Sequence, residues 1–126
     1  MVLGGGAPPP PLGQRRLRDQ LGTHCIQANG KDLPRGEALE AVEALLRWEL
    51  QQKELVKAEA LKRPPGEPRL ALWQGDITTL RIGGIVNAAN EGGLGCFQPT
   101  HRCIDNVIHR AAGPALRAAC AEEMVR

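Results

Sequence analysis

The chain has 126 residues, a net charge of +2, and only Trp48, Trp73 and Phe97 as aromatic residues. This length holds one domain with a real core, but not comfortably two. A nearly neutral balance gives no electrostatic pull toward nucleic acid or an acidic membrane surface, and so few aromatics make no base-stacking platform, so neither kind of partner is expected.

The first zone, residues 1–35, has little pattern. Gly4-Gly5-Gly6-Ala7-Pro8-Pro9-Pro10-Pro11 suits neither helix nor ladder and predicts a disordered or polyproline-like tail. Arg15-Arg16-Leu17-Arg18 is basic but short, and reads as solvated. The start lacks the charged and continuous apolar regions of a secretory signal, and no run of eighteen apolar residues occurs anywhere. A cytoplasmic protein is expected. In a reducing compartment Cys25, Cys96, Cys103 and Cys120 are thiols or metal ligands rather than disulfides.

The second zone, residues 36–69, reads as a helical extension and linker. Leu39, Val42, Leu46 and Leu50 recur at three and four, which predicts a helix over residues 37–62 with an apolar packing face. Glu43 with Arg47, and Glu49 with Lys53, are i,i+4 pairs of the favoured polarity. Pro64-Pro65-Gly66 ends the pattern.

The third zone, residues 70–126, alternates. Leu70-Ala71-Leu72-Trp73 predicts a short strand, Gly75-Asp76 a turn, and Ile85-Val86-Asn87-Ala88 a second strand buried on both faces. Residues 91–103 form a Gly-rich loop. A helix starts near Ile104 with Ile104, Ile108 and Ala111 on one stripe, and Pro114 opens the next, lined by Leu116, Ala119, Cys120 and Met124. Strand, loop and helix in this order suggest an α/β layer fold with ligand loops at one sheet edge.

Chemistry is concentrated in this zone. The carboxylate of Asp76 and the backbone N–H of Ile77 suit the edge of an adenine, although Gly-Asp is also an ordinary turn. The Asn90 amide can hold a ribose hydroxyl or simply shape a strand end. Gly92-Gly93-Leu94-Gly95 can bring N–H groups to an anion, or be only a flexible loop. Cys96, His101 and Cys103 lie within eight residues, with Cys103 at a helix N-terminus where the dipole favours thiolate. Pro99 bends the chain so that Cys96 can return toward His101. Three such ligands would leave one position of a tetrahedral zinc open; the spacing alone fits that site and a chance grouping equally. Asp105 and Asn106 can cap the helix or face the ligand. His109 is one turn beyond Asp105 and placed to pair with it, and Cys120 reads as a small core residue.

Together these pieces resemble a macrodomain. Leu72-Trp73-Gln74-Gly75-Asp76-Ile77-Thr78-Thr79-Leu80 and Ile85-Val86-Asn87-Ala88-Ala89-Asn90 resemble its opening. The continuation, Gly95-Cys96-Phe97-Gln98-Pro99, His101, Cys103-Ile104-Asp105-Asn106, Ile108-His109 and Ala112-Gly113, is similar to the microbial zinc-dependent branch, to which the Cys-x4-His-x-Cys insert is specific. Gly83-Gly84 departs from the family's usual acidic residue followed by Ala.

The resemblance implies a three-layer α/β/α macrodomain, of which residues 70–126 are the N-terminal half, preceded by a helical extension. It implies that Asp76 and Ile77 hold the adenine, Asn90 the distal ribose, and Ile104, Asp105 and Asn106 the phosphate and ribose side. Cys96, His101 and Cys103 would bind zinc beside that ribose. Asn90 and Asp105 are the candidate catalytic residues, Asn90 fixing the ribose and Asp105 handling a proton. The implied activity is hydrolysis of mono-ADP-ribose from protein side chains. The implied partners are ADP-ribose and a mono-ADP-ribosylated protein, with a lipoyl carrier protein modified by a sirtuin-type transferase as one such substrate. The alternatives are a non-catalytic ADP-ribose-binding module or inactive fragment, and a structural zinc or nucleic-acid module, the last disfavoured by the lack of a basic patch.

Overall fold

The computed structural model describes residues 16, 19, 20, 23 and 33–125. The tail expected over residues 1–35 falls almost wholly outside the described residues, as does Cys25. Arg16, Asp19, Gln20 and Thr23 are helical, and Asp19 accepts a 2.8 Å ion pair from Arg110.

Helix α1 spans Glu37–Gln51. Its Ala, Leu and Glu content favours helix, and Glu37 and Glu40 in the first turn complement the dipole. Leu39, Val42 and Leu46 are half-buried, as the three-four repeat requires, and Arg47 pairs with Glu43 at 2.7 Å. The helix is shorter than its expected end at residue 62. Beyond Leu50 the apolar repeat runs out in Gln51-Gln52-Lys53-Glu54, and the N–H groups of Gln52 and Lys53 tighten the last turn onto Glu49 and Leu50 carbonyls. The β-branched Val56 then leads the chain into extended pairing before Pro64 is reached.

That pairing forms a two-stranded parallel sheet. Strand β1, Val56–Lys57, lies beside β2, Leu80–Arg81, with Val56 opposite Leu80 and Lys57 opposite Arg81. A 3₁₀ turn, Ala58–Ala60, follows β1. In Pro64-Pro65-Gly66-Glu67 the Glu67 N–H returns to the Pro64 carbonyl, and Gly66 supplies the positive φ of 82° that this turn demands.

Neither strand expected from the sequence forms a ladder. Residues 70–73 and 85–88 form no strand among the described residues, and Leu72 and Val86 are 94% and 92% exposed. An apolar run becomes a buried strand only when a neighbour takes up its N–H and C=O groups and covers its side chains. The ladder forms instead at Leu80–Arg81, directly after the 3₁₀ turn Ile77–Thr79.

Helix α2, Ile104–Ala112, and helix α3, Pro114–Met124, pack against one another. Pro114 occupies the start of α3 as expected, where its missing N–H costs nothing. Gly113 joins them at φ 86°, and Leu46 of α1 fills the space where its side chain would stand. The stripes differ from expectation. Ile108 is buried, but its buried companions on α2 are Asp105, Asn106 and His109, and α3 buries Pro114 and Arg117 rather than Met124. Cys120 is half-buried. The interior around α2 and α3 is therefore largely polar, an arrangement that requires partners for those groups. The helices and small parallel sheet are compatible with an α/β class, and among the described residues no helix is long and apolar enough to cross a membrane.

Candidate metal centre and glycine-rich loop

The loop between the second apolar segment and α2 carries the chemistry. The Asn90 side chain spans its first part: Nδ2 donates to the Gly95 carbonyl at 3.1 Å, and Oδ1 accepts from the Gly92 N–H at 3.0 Å. Gly93 and Gly95 hold φ of 63° and 85°, conformations that glycine adopts without strain. Gly95 lies flat against the His109 ring, where a Cβ would stand 2.7 Å from it. Asn90 therefore shapes this loop.

The three candidate ligands converge just beyond. The donor atoms of Cys96, His101 and Cys103 all lie within 4.8 Å of one another. Cys96 Sγ is 3.5 Å from His101 Nδ1. Tetrahedral zinc with ordinary Zn–S and Zn–N bonds separates such a pair by about 3.6 Å, so this pair is spaced for that ion. Cys103 is the N-cap of α2, its Sγ accepting the Asn106 N–H at 3.4 Å. The fit also has the right chemistry, two soft thiols and one imidazole.

Behind the triplet is a buried polar cluster. Asp105 is 4% exposed; its Oδ1 accepts from Asn87 Nδ2 at 2.7 Å and lies 3.5 Å from His109 Nε2. Burial holds the His109 imidazole below its ordinary pKa of 6.5, against the raising effect of the Asp105 carboxylate and with a smaller lowering effect from Arg117. Asn106 donates through Nδ2 to the carbonyls of Gln98 and His101 at 2.9 and 2.8 Å. Arg117 donates to the Cys96 carbonyl at 3.3 Å and stacks 4.6 Å from the centre of the Phe97 ring.

Asp76 and Ile77 sit elsewhere. Asp76 caps the 3₁₀ turn, accepting from the Thr78 N–H at 2.9 Å and the Thr78 hydroxyl at 2.8 Å, and these bonds lower its pKa from 3.8. Both residues line a groove of about 760 Å³ with Leu80, Ile82, Val107 and Ile108, which none of the triplet lines. The structure thus gathers Cys96, His101 and Cys103, places Asp105 and Asn106 behind them with Ile104 at the helix start, and keeps Asp76 and Ile77 on a separate groove. Asn87 and Arg117 were not singled out by the sequence. Asn87 lies in the same Asn-Ala-Ala-Asn segment as Asn90 and was the available signal; an arginine inside a helix carries none.

Residues 86–126 match the Macro domain family. They include the glycine loop, the triplet and both helices behind it. Over 60 residues, 47% of this chain and 10% of the relative, the sequence is 63% identical to a probable bifunctional ADP-ribose hydrolase/ADP-ribosyltransferase of Fusarium oxysporum f. sp. cubense. Over 90 residues, 71% of this chain and 34% of the relative, it is 44% identical to a protein-ADP-ribose hydrolase of Staphylococcus aureus (strain COL). A protein-ADP-ribose hydrolase of Treponema medium is 62% identical over 50 residues, 40% of this chain and 19% of the relative. The chain spans at most about a third of the length of these curated relatives. These similarities support the macrodomain hydrolase family that the sequence resembles.

Proposed function

We propose that this chain is the loop-bearing part of a zinc-holding macrodomain that hydrolyses mono-ADP-ribose from protein side chains, a glycosidase-type reaction at the distal ribose. The observation that carries the reading is the convergence of Cys96, His101 and Cys103 inside the segment that matches the Macro domain. The names of the relatives support ADP-ribose as the ligand and hydrolysis as the reaction. Zinc on these three donors would leave a fourth position for water or a ribose hydroxyl and supply Lewis-acid polarisation there.

The rest falls to the chain itself. The loop shaped by Asn90 brings glycine backbone close to the sugar and phosphates. The N-terminus of α2, beginning at Ile104, adds favourable partial charge for a pyrophosphate. Asp76 takes the adenine amine, with the Ile77 N–H beside it, and Asp105 handles the proton. The thiols stay reduced in the cytoplasm, where we place the protein. A lipoyl carrier protein modified by a sirtuin-type transferase is the substrate we would try first, on the strength of the family resemblance.

A second reading, binding of ADP-ribose without turnover, is favoured by one observation: Asp105 is buried and already engaged by Asn87 and His109, as a structural carboxylate would be. Release of ADP-ribose from a mono-ADP-ribosylated carrier protein separates the two. The hydrolase reading expects a rate that falls at least about tenfold on zinc removal and returns on reloading. Heat of binding to free ADP-ribose with no release supports the binding module, and neither heat nor release contradicts both.

A further inference from the structure

Residues 96–101 have no helix or strand to fix their shape, yet they must bring Cys96 and His101 to Cys103, which is anchored on the start of α2. Two buried side chains hold this backbone from opposite ends, and neither offers its donors to the metal. Asn106 has two Nδ2 hydrogens, and its two short contacts, to the carbonyls of Gln98 and His101, account for both. Its own backbone N–H meets Cys103 Sγ. One residue therefore ties the His101 arm of the loop to the Cys103 arm.

Arg117 does the same for the Cys96 arm. It is 2% exposed, donates to the Cys96 carbonyl, and lays its guanidinium over Phe97, the next residue in the loop. Burying a guanidinium is costly unless its donors are matched, and a planar cation over an aromatic face recovers part of that cost. Held by that hydrogen bond and by the ring, the guanidinium has a fixed place, and a fixed donor fixes the carbonyl it holds.

We propose that Asn106 and Arg117 are positioning residues of the metal loop, setting the Cys96-to-His101 separation before the ion arrives. For Asn106 this is a role distinct from direct contact with ADP-ribose. The physical basis is conformational entropy. A loose loop must be ordered when the metal binds, and that ordering is subtracted from the binding free energy, whereas a loop already held by its carbonyls avoids the cost. The inference rests on the reading of the triplet as a zinc site.

The test is zinc affinity of the whole chain, measured by competition with a chromogenic chelator, together with the visible spectrum after cobalt substitution. Asn106→Leu and Arg117→Met should each weaken zinc by about 10- to 100-fold, the range found when groups that orient ligands are removed. At saturating metal the cobalt spectrum should keep its thiolate bands, because all three ligands remain. Arg117→Lys keeps the charge but loses the planar face over Phe97, and should fall between wild type and Arg117→Met; it decides the matter if the stronger variants do not fold. Arg110→Met, on the same pair of helices but bonded to Asp19, is the control and should leave affinity unchanged. Folded variants that bind zinc within twofold of a zinc-binding wild type overturn the inference and leave the metal site standing. A wild-type chain that takes up no zinc overturns the metal reading, and this inference with it.

Discussion

His109 shows how one buried side chain shapes the behaviour of the site. Its ring is sandwiched between the Gly95 backbone and the interior, with Nε2 toward Asp105 and Nδ1 without a hydrogen-bond partner among the described residues. Burial favours the neutral imidazole, so the folded pKa lies below the 6.5 of an exposed histidine. The unfolded chain takes up a proton near 6.5 while the folded chain still refuses it. Stability is therefore fully present above that pH and is lost as the pH falls through the unfolded value toward the folded one. The thermal midpoint, measured in chelator so that metal binding does not contribute, should drop as the pH falls below the 6.5 of an exposed histidine. His109→Gln, which cannot take up that proton, should flatten the drop; an unchanged slope would mean that another group controls it. The pairing of His109 with Asp105 was legible from their four-residue spacing. The burial of both was not, because a charged face one turn long reads as solvent-facing until the loop that covers it is seen.

At the scale of elements, the glycine loop and the two helices are one unit. Gly95 combines a positive φ with the His109 ring directly over its Cα, and that ring belongs to the buried face of α2 and cannot retreat. Gly93 has a positive φ too, but the atom nearest its missing Cβ is the Met124 sulfur, near the exposed end of a flexible side chain. Gly95→Ala should therefore destabilise by about 2–4 kcal/mol, backbone strain and overpacking together, and Gly93→Ala by about 1 kcal/mol, strain alone. Urea denaturation of the two variants measures the difference, and equal losses would contradict the packing described for Gly95. Helices were the readable elements. The three-four repeat of α1, the Cys103–Ile104 start of α2 and Pro114 at the head of α3 all carry local signals that do not depend on distant partners. Helix α1 ends before the strong stop at Pro64 because the pull of Val56 toward Leu80 is non-local and leaves no signal in the local sequence.

At the scale of the molecule, apolar sequence and buried structure part company. Leu72 and Val86 stand almost fully in solvent, while Asp105, Asn106, His109 and Arg117 lie inside. Periodicity reports what a segment could bury, but a strand is completed only by a neighbouring strand, and residues 70–73 and 85–88 are in no ladder among the described residues. The candidate site was legible to a different degree. Cys96, His101 and Cys103 are close in sequence, so a short loop suffices to join them, and the structure does join them. Asp76 and Ile77 could be picked out as a local turn, but their distance from the triplet depends on the route of the intervening chain. The groove they line therefore had no counterpart in the sequence. Arg117 was illegible for the same reason, being 21 residues from the carbonyl it holds.

On the proposed reading, Cys96, His101 and Cys103 together hold one metal ion. Zinc content per chain, determined on protein purified without added chelator and again on Cys96→Ser, His101→Ala and Cys103→Ser, tests it most directly. One zinc per chain in the wild type, with most of it lost in each variant, is the predicted result. Zinc far below one per chain in folded wild type, or content that survives all three substitutions, would contradict it.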